Sequence, residues 1–97
     1  MKVAIAPEAE QDLTDGALYY AQEANAELGL AFIAEFERAL SVLAAHPRIG
    51  APWRARTHRF PLRRFPYSVI YRIHREELRV IALAHQRRQP GYWSGRK

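Results

Sequence analysis

Ninety-seven residues with 48% hydrophobic side chains bound the chain to one domain spanning 1–97, because a second core needs more chain and a disordered tail fewer apolar groups. The absence of cysteine excludes a disulfide framework, thiolate metal sites and thiol catalysis, and fits a reducing compartment. No stretch approaches the roughly 18 apolar residues of a membrane span and none forms a signal-peptide core, so the expectation is a cytoplasmic protein without membrane contact.

The net charge of +5 hides an uneven distribution. Residues 1–47 carry two basic and eight acidic side chains, a net −6, whereas residues 48–97 carry thirteen basic groups, twelve of them arginine, against Glu76 and Glu77, a net +11. An arginine-rich half attracts polyanions or an acidic protein, since the planar guanidinium fork suits phosphate and carboxylate alike.

Residues 2–6 read as a short strand around Val3 and Ile5, and Pro7 then suits the first turn of a helix, where a missing N–H costs nothing. Glu8, Glu10 and Asp12 favour the positive end of that helix dipole, and Ala9, Leu13, Ala17, Tyr20 and Ala24 form its apolar stripe. A turn is expected at 25–29. From Leu30 a second stripe of Ile33, Phe36, Leu40 and Leu43 predicts another helix, which Pro47 ends.

The period then changes. Pro47, Gly50 and Pro52 punctuate a loop, and strands are expected at 59–64, 67–73 and 78–85, with 74–77 as a hairpin link. Tyr67, Val69, Tyr71 and Ile73 share one strand face. The run from Val80 to Ala84 is apolar on both faces, marking a central strand covered by helices on one side and by the C-terminal segment or another protein on the other. The predicted fold is α+β, in the order β-α-α-β-β-β, with a helical hairpin packed on a small antiparallel sheet and residues 2–6 as its edge or a central strand.

Arginines group as Arg54, Arg56 and Arg59, then Arg63 and Arg64, then Arg87 and Arg88. Strand ends lie close in an antiparallel sheet, so Arg63 or Arg64 is expected near Arg87. RNA cleavage without a metal needs a base, cations for the developing phosphate charge and an acid, which His85 or His58, Arg64 with Arg87, and Tyr92 nominally supply. A solvated basic face reads equally well for each arginine alone. His85 ends an apolar strand, a place for a backbone-bonded structural histidine as much as for a base. Tyr92 and Trp93 either tuck against the sheet or present aromatic surface to a partner. The four histidines show no metal-ligand spacing, and no glycine-rich phosphate loop or nucleophile elbow is present, so no metal or other cofactor is expected.

Several segments carry a resemblance in their order. They are Tyr19-Tyr20 in an acidic first helix, His46-Pro47 with Ile49-Gly50 after the second, Leu62-Arg63-Arg64-Phe65-Pro66-Tyr67-Ser68-Val69-Ile70-Tyr71-Arg72, and Ala82-Leu83-Ala84-His85 continuing through Arg87, Arg88, Gln89, Pro90 and Gly91 to Tyr92-Trp93. Together they resemble the ParE/RelE superfamily of type II toxin–antitoxin toxins, which includes plasmid stabilisation proteins. The resemblance covers nearly the whole chain. It implies a growth-arresting toxin neutralised by a cognate antitoxin from the same operon, whose helix and extended segment would cover apolar sheet surface.

The superfamily divides by target. ParE-like members inhibit DNA gyrase and catalyse nothing; RelE-like members are metal-independent endoribonucleases that cut mRNA on the ribosome. On the first pattern Arg63, Arg64, Arg87, Arg88, Tyr92 and Trp93 form a target-binding surface. On the second, Arg64, His85, Arg87 and Tyr92 are catalytic. The lysines that RelE-like members place ahead of these strands are absent, since Lys2 and Lys97 are the only two, and a guanidinium at Arg54 or Arg56 is a poor base. The resemblance therefore implies the gyrase-directed branch first, with the ribonuclease, or an inactive RNA- or antitoxin-binding relative, as its alternatives.

Overall fold

The computed structural model describes residues 1–88 and 91–97; Gln89 and Pro90 of the sequence ending quoted above lie outside the described part. Strand β1 (Lys2–Ile5) leads into helix α1 (Pro7–Glu23), then α2 (Ala26–Ala45), β2 (Ala51–Trp53), a single 3-10 turn (Arg54–Arg56), β3 (Thr57–Pro61), β4 (Tyr67–His74) and β5 (Glu77–His85). The sheet order is β1-β5-β4-β3-β2. Pairing is antiparallel except between β1 and β5, which run parallel because the helical hairpin crosses over between them. The expected fold class and order are present, and residues 2–6 contribute an edge strand.

Three details differ from the sequence expectation. The turn between the helices is tighter than 25–29, because Asn25 caps α2 by accepting the Leu28 N–H on Oδ1 at 2.9 Å, so the second helix begins at Ala26. The strand expected at 59–64 runs instead from Thr57 to Pro61, and Leu62, Arg63 and Arg64 belong to the following loop. A three-residue strand, β2, occupies the outer edge, where Pro52 leaves no ladder hydrogen bond unmade.

The helices cover one face of the sheet. Gly29 allows them to touch, since a side-chain carbon there would meet the Ala17 carbonyl oxygen at 2.7 Å. Phe32 lies at the centre of an aromatic group, its ring centroid 5.3 Å from Tyr20, 5.1 Å from Phe65 and 4.8 Å from Tyr67. Phe65 thereby fixes the β3–β4 loop against the hairpin. Tyr71 is fully buried below α2, and its hydroxyl donates to the Pro47 carbonyl at 2.8 Å and accepts the Gly50 N–H at 3.0 Å, pinning the chain as it leaves α2.

A bulge in β5 divides the two faces. Ile70 pairs with Ala82 and Tyr71 with Val80, so Ile81 is the extra residue. Leu78, Val80 and Leu83 pack towards the helices, while Ile81, Ala82 and Ala84 join Ile70 on the opposite face. Trp93, 3% exposed, closes that second face. The cover anticipated from the antitoxin or the C-terminal segment is provided by the C-terminal segment.

Candidate functional site

The end of the sheet where β4 begins and β5 finishes gathers the residues singled out from the sequence. Tyr67 stands opposite His85 in the register, and beyond that pair the Gln86 N–H donates to the Pro66 carbonyl at 2.8 Å. The loop carrying Arg63 and Arg64 is thus tied to the segment carrying Arg87 and Arg88, and all four arginines are exposed. Two short bonds, Leu62 N–H to Tyr67 carbonyl and Tyr67 N–H to Phe65 carbonyl, both 2.8 Å, hold the loop tight.

Each arginine is held differently. The Arg63 N–H donates to Glu35 Oε2 at 2.6 Å, and Glu35 also accepts two bonds from the Arg38 guanidinium at 2.7 Å each. Those Arg38 bonds hold the Glu35 carboxyl below the usual glutamate range; partial burial opposes them and the Arg63 amide assists. Arg64 has φ 71°, a left-handed conformation that a non-glycine residue adopts at some cost, and its guanidinium lies over Phe65 at 5.4 Å. It lines a shallow cavity with Asn25, Glu27, Leu28 and Ala31, on the hairpin side. Arg88 stacks on Tyr92 at 4.1 Å.

His85, Arg88 and Tyr92 meet Asp15, Tyr19 and Tyr67 around a cleft of about 160 Å³ between α1 and the end of β5. The Tyr67 and His85 rings meet nearly at right angles, at 83°, with centroids 5.0 Å apart. His85 Nδ1 accepts the Arg87 N–H at 3.0 Å, which places the proton of the neutral ring on Nε2. Burial pushes the Tyr92 hydroxyl pKa up and nearby Asp12 adds to the effect, against the pull of Arg88 and Arg96. Among the described residues no three His, Asp or Glu side chains cluster as metal ligands do.

The residues anticipated for catalysis therefore separate: His85 and Tyr92 share the cleft, whereas Arg64 lines the cavity at the hairpin turn. His58 lies away from this end, stacked on Tyr71 at 5.3 Å. Trp93 belongs to the core beneath the second face, so its indole supports the neighbouring surface from below.

The ParE toxin family, described as "ParE toxin of type II toxin-antitoxin system, parDE", matches residues 3–90. The chain belongs to the ParE toxin family. A solved structure from the chromosomal ParDE toxin–antitoxin system of P. aeruginosa superposes with a TM-score of 0.79 at 19% identity, covering 88% of this chain and 95% of that one. That likeness concerns the fold. A search of curated proteins finds no match. No helix among the described residues is long and apolar enough to cross a membrane.

Two residues important to the architecture of this ParE-family toxin carry no signal in the sequence. Asp12 accepts from Arg96 Nη1 at 2.7 Å and from the Leu83 N–H at 3.0 Å, and Arg96 donates also to the Ile81 carbonyl at 3.1 Å. Beyond Val80 the edge of β5 has lost its partner strand, and these contacts occupy it. Asp12 reads as a charge at the helix dipole and Arg96 as one of the thirteen basic groups of the second half; only the tertiary fold brings them together.

Proposed function

We propose that this ParE-family chain arrests growth by inhibiting DNA gyrase, without catalysing a reaction, and that a cognate antitoxin from the same operon neutralises it. The observation that carries the reading is the exposed set Arg63, Arg64, Arg87 and Arg88 on two segments joined by the Gln86–Pro66 bond. Exposed arginines on two neighbouring segments offer guanidinium groups suited to an acidic macromolecular face, Arg88 beside Asp15 in the α1 cleft and Arg64 beside Glu27 at the hairpin turn. Tyr92 lies beneath Arg88 and contributes as a stacking support, with Trp93 as the buried base of the segment.

The same geometry favours binding over RNA cleavage. An RNA-cutting site needs its base, cation and acid around one phosphate. Here His85 Nδ1 is engaged by the Arg87 amide and Arg64 is directed to the hairpin turn. For the antitoxin, the second sheet face is already covered, and Leu18, Tyr19 and Leu30 are the large apolar side chains left more than half exposed on the helices. These offer the apolar part of an antitoxin surface, and the arginines the charged part.

Purified protein added to gyrase and relaxed plasmid tests the reading. Supercoiling is expected to fall as toxin is added, to recover with antitoxin, and ribosome-bound mRNA is expected to stay intact. Codon-positioned cuts in the message with supercoiling unaffected would reverse the assignment to the ribonuclease branch.

A further inference from the structure

Beside the C-terminal segment, the second face of the sheet ends in an arginine edge built on the β2–β3 hairpin. Trp53 on β2 stands opposite Thr57 on β3, and the turn between them carries two non-glycine residues in the left-handed region, Ala55 at φ 56° and Arg56 at φ 60°. Glycine or asparagine would fill such positions with less strain. Two contacts hold the turn as it is: Thr57 Oγ1 donates to the Arg54 carbonyl at 2.6 Å, and Arg72 on β4 donates through Nη2 to the Ala55 carbonyl at 3.0 Å. Arg54 and Arg56 are left exposed.

The arginines of this face are of two kinds. Arg72 and Arg79 stand opposite each other on β4 and β5, a repulsive placement, and both turn onto main-chain carbonyls, Arg72 onto Arg96 as well at 2.9 Å and Arg79 onto Lys97 at 3.0 Å. The guanidinium groups of Arg54, Arg59 and Arg88 have no hydrogen-bond or ion-pair partner among the described residues. Stacking holds them instead. Arg54 and Arg59 lie 5.9 and 4.6 Å from the centre of the Trp53 ring, and Arg88 lies 4.1 Å from that of Tyr92. Arg59 and Arg88 border one shallow depression, so the two stacks adjoin. A guanidinium stacked on a ring keeps the N–H donors along its own edge free for an anion.

We infer that this edge binds the phosphate backbone of duplex DNA. What the face lacks separates a nucleic acid from an acidic protein. Protein interfaces are built around an apolar, charge-depleted centre, whereas nucleic-acid interfaces are polar and strongly positive. The large apolar side chains left at least half exposed, Met1, Leu18, Tyr19, Leu30 and Ile49, all precede β2. After Glu37 the only acids are Glu76 and Glu77, at the β4–β5 turn, and Asp15 meets the set at Arg88, in the α1 cleft. Single-strand binders stack bases on bare aromatic rings; here Trp53 and Tyr92 carry guanidinium groups and Trp93 is buried, so the face presents cations in their place. The choice of DNA over RNA rests on the gyrase reading, because DNA is what that enzyme holds; the arginine edge suits either backbone.

Fluorescence anisotropy of a short labelled DNA duplex of mixed sequence, titrated with the purified full chain in the absence of gyrase, tests this. Each phosphate neutralised contributes about −0.9 to the slope of log affinity against log salt, so three arginines predict a slope of about −2.7 and a loss of about fortyfold between about 50 and 200 mM salt. Arg54→Gln with Arg59→Gln should bring the slope to about −0.9 and weaken binding at least about tenfold at the lower salt. Arg54→Gln alone, at an exposed turn position, should give a slope of about −1.8 and serves if loss of Arg59 releases Trp53. Arg48→Gln with Arg75→Gln removes the same charge from exposed positions outside these stacks and should leave the slope unchanged. Absence of binding at low salt overturns the inference, and so does equal weakening by the two pairs, which would mean attraction by net charge alone. Tighter binding of an RNA duplex, or of single-stranded DNA with the same number of phosphates, would overturn the assignment to duplex DNA. Because the assay contains no gyrase, its failure leaves the supercoiling test standing, and failure to inhibit supercoiling leaves duplex binding standing.

Discussion

Arg96 donates to the carboxylate of Asp12 at 2.7 Å across 84 positions of sequence, joining the first helix to the last turn of the chain. The pair is mostly shielded, with 19% and 12% of the two side chains exposed. It closes the edge of β5 that β1 leaves open and keeps Trp93 against the second face of the sheet.

Removing the cation should therefore cost more than a surface ion pair does. Arg96→Ala leaves a shielded carboxylate with only the Leu83 amide as partner, and a loss of about 2–3 kcal/mol in urea unfolding is expected. Tryptophan emission should shift to the red as Trp93 gains access to water. Unchanged stability and emission would mean that the segment is held by apolar contact alone.

Tyr71→Phe keeps the ring and deletes one oxygen. The buried Gly50 N–H and the Pro47 carbonyl both lose their partner, so about 1–3 kcal/mol of stability should disappear. Thermal unfolding of the variant measures it, and a change near zero would show that water reaches the loop after α2.

Glu35 predicts a pH dependence. Its pKa is lowered in the folded chain, first by the Arg38 hydrogen bonds, so between the folded and unfolded values the unfolded chain binds more protons. Its contribution to stability is complete well above the ordinary value of 4.5 and is lost as pH falls through the folded value. Glu35→Gln should thus be less stable than the parent at pH 7, and the gap should close in acid. A gap independent of pH would assign the loss to packing of the β3–β4 loop instead of charge.

Arg64→Ala with Arg87→Ala should relieve growth arrest while antitoxin binding largely survives. Both side chains are exposed, so the fold should change by no more than about 0.5 kcal/mol per site. Gyrase binding by the parent should also weaken as salt rises, because exposed charges are screened beyond about 8–10 Å at physiological ionic strength. Full growth arrest by the double variant would reduce these arginines to solvated surface.

What was readable along the chain is what depends on near neighbours. The stripes at Ala9, Leu13 and Ala17 and at Ile33, Phe36 and Leu40 follow from helical period, Pro7 and Pro47 from the missing N–H, and the alternation of Tyr67, Val69, Tyr71 and Ile73 from the pleat. The charge asymmetry, with arginine in the sheet half, is composition alone. Those local rules were enough for the element order and for a resemblance to the ParE/RelE superfamily.

Contacts between distant segments decided the rest. Ala51–Trp53 becomes a strand only because β3 offers it an edge, and the bulge at Ile81 arises from the register of β5 against β4. The sequence left Trp93 either tucked against the sheet or offered to a partner; small residues at Ala82 and Ala84 on the facing strand and the Arg96–Asp12 clamp decide for the first. Periodicity tells which face of an element is apolar, because that is a property of successive side chains. Which surface covers that face is a property of chain crossing, and it exists only once the tertiary structure has formed.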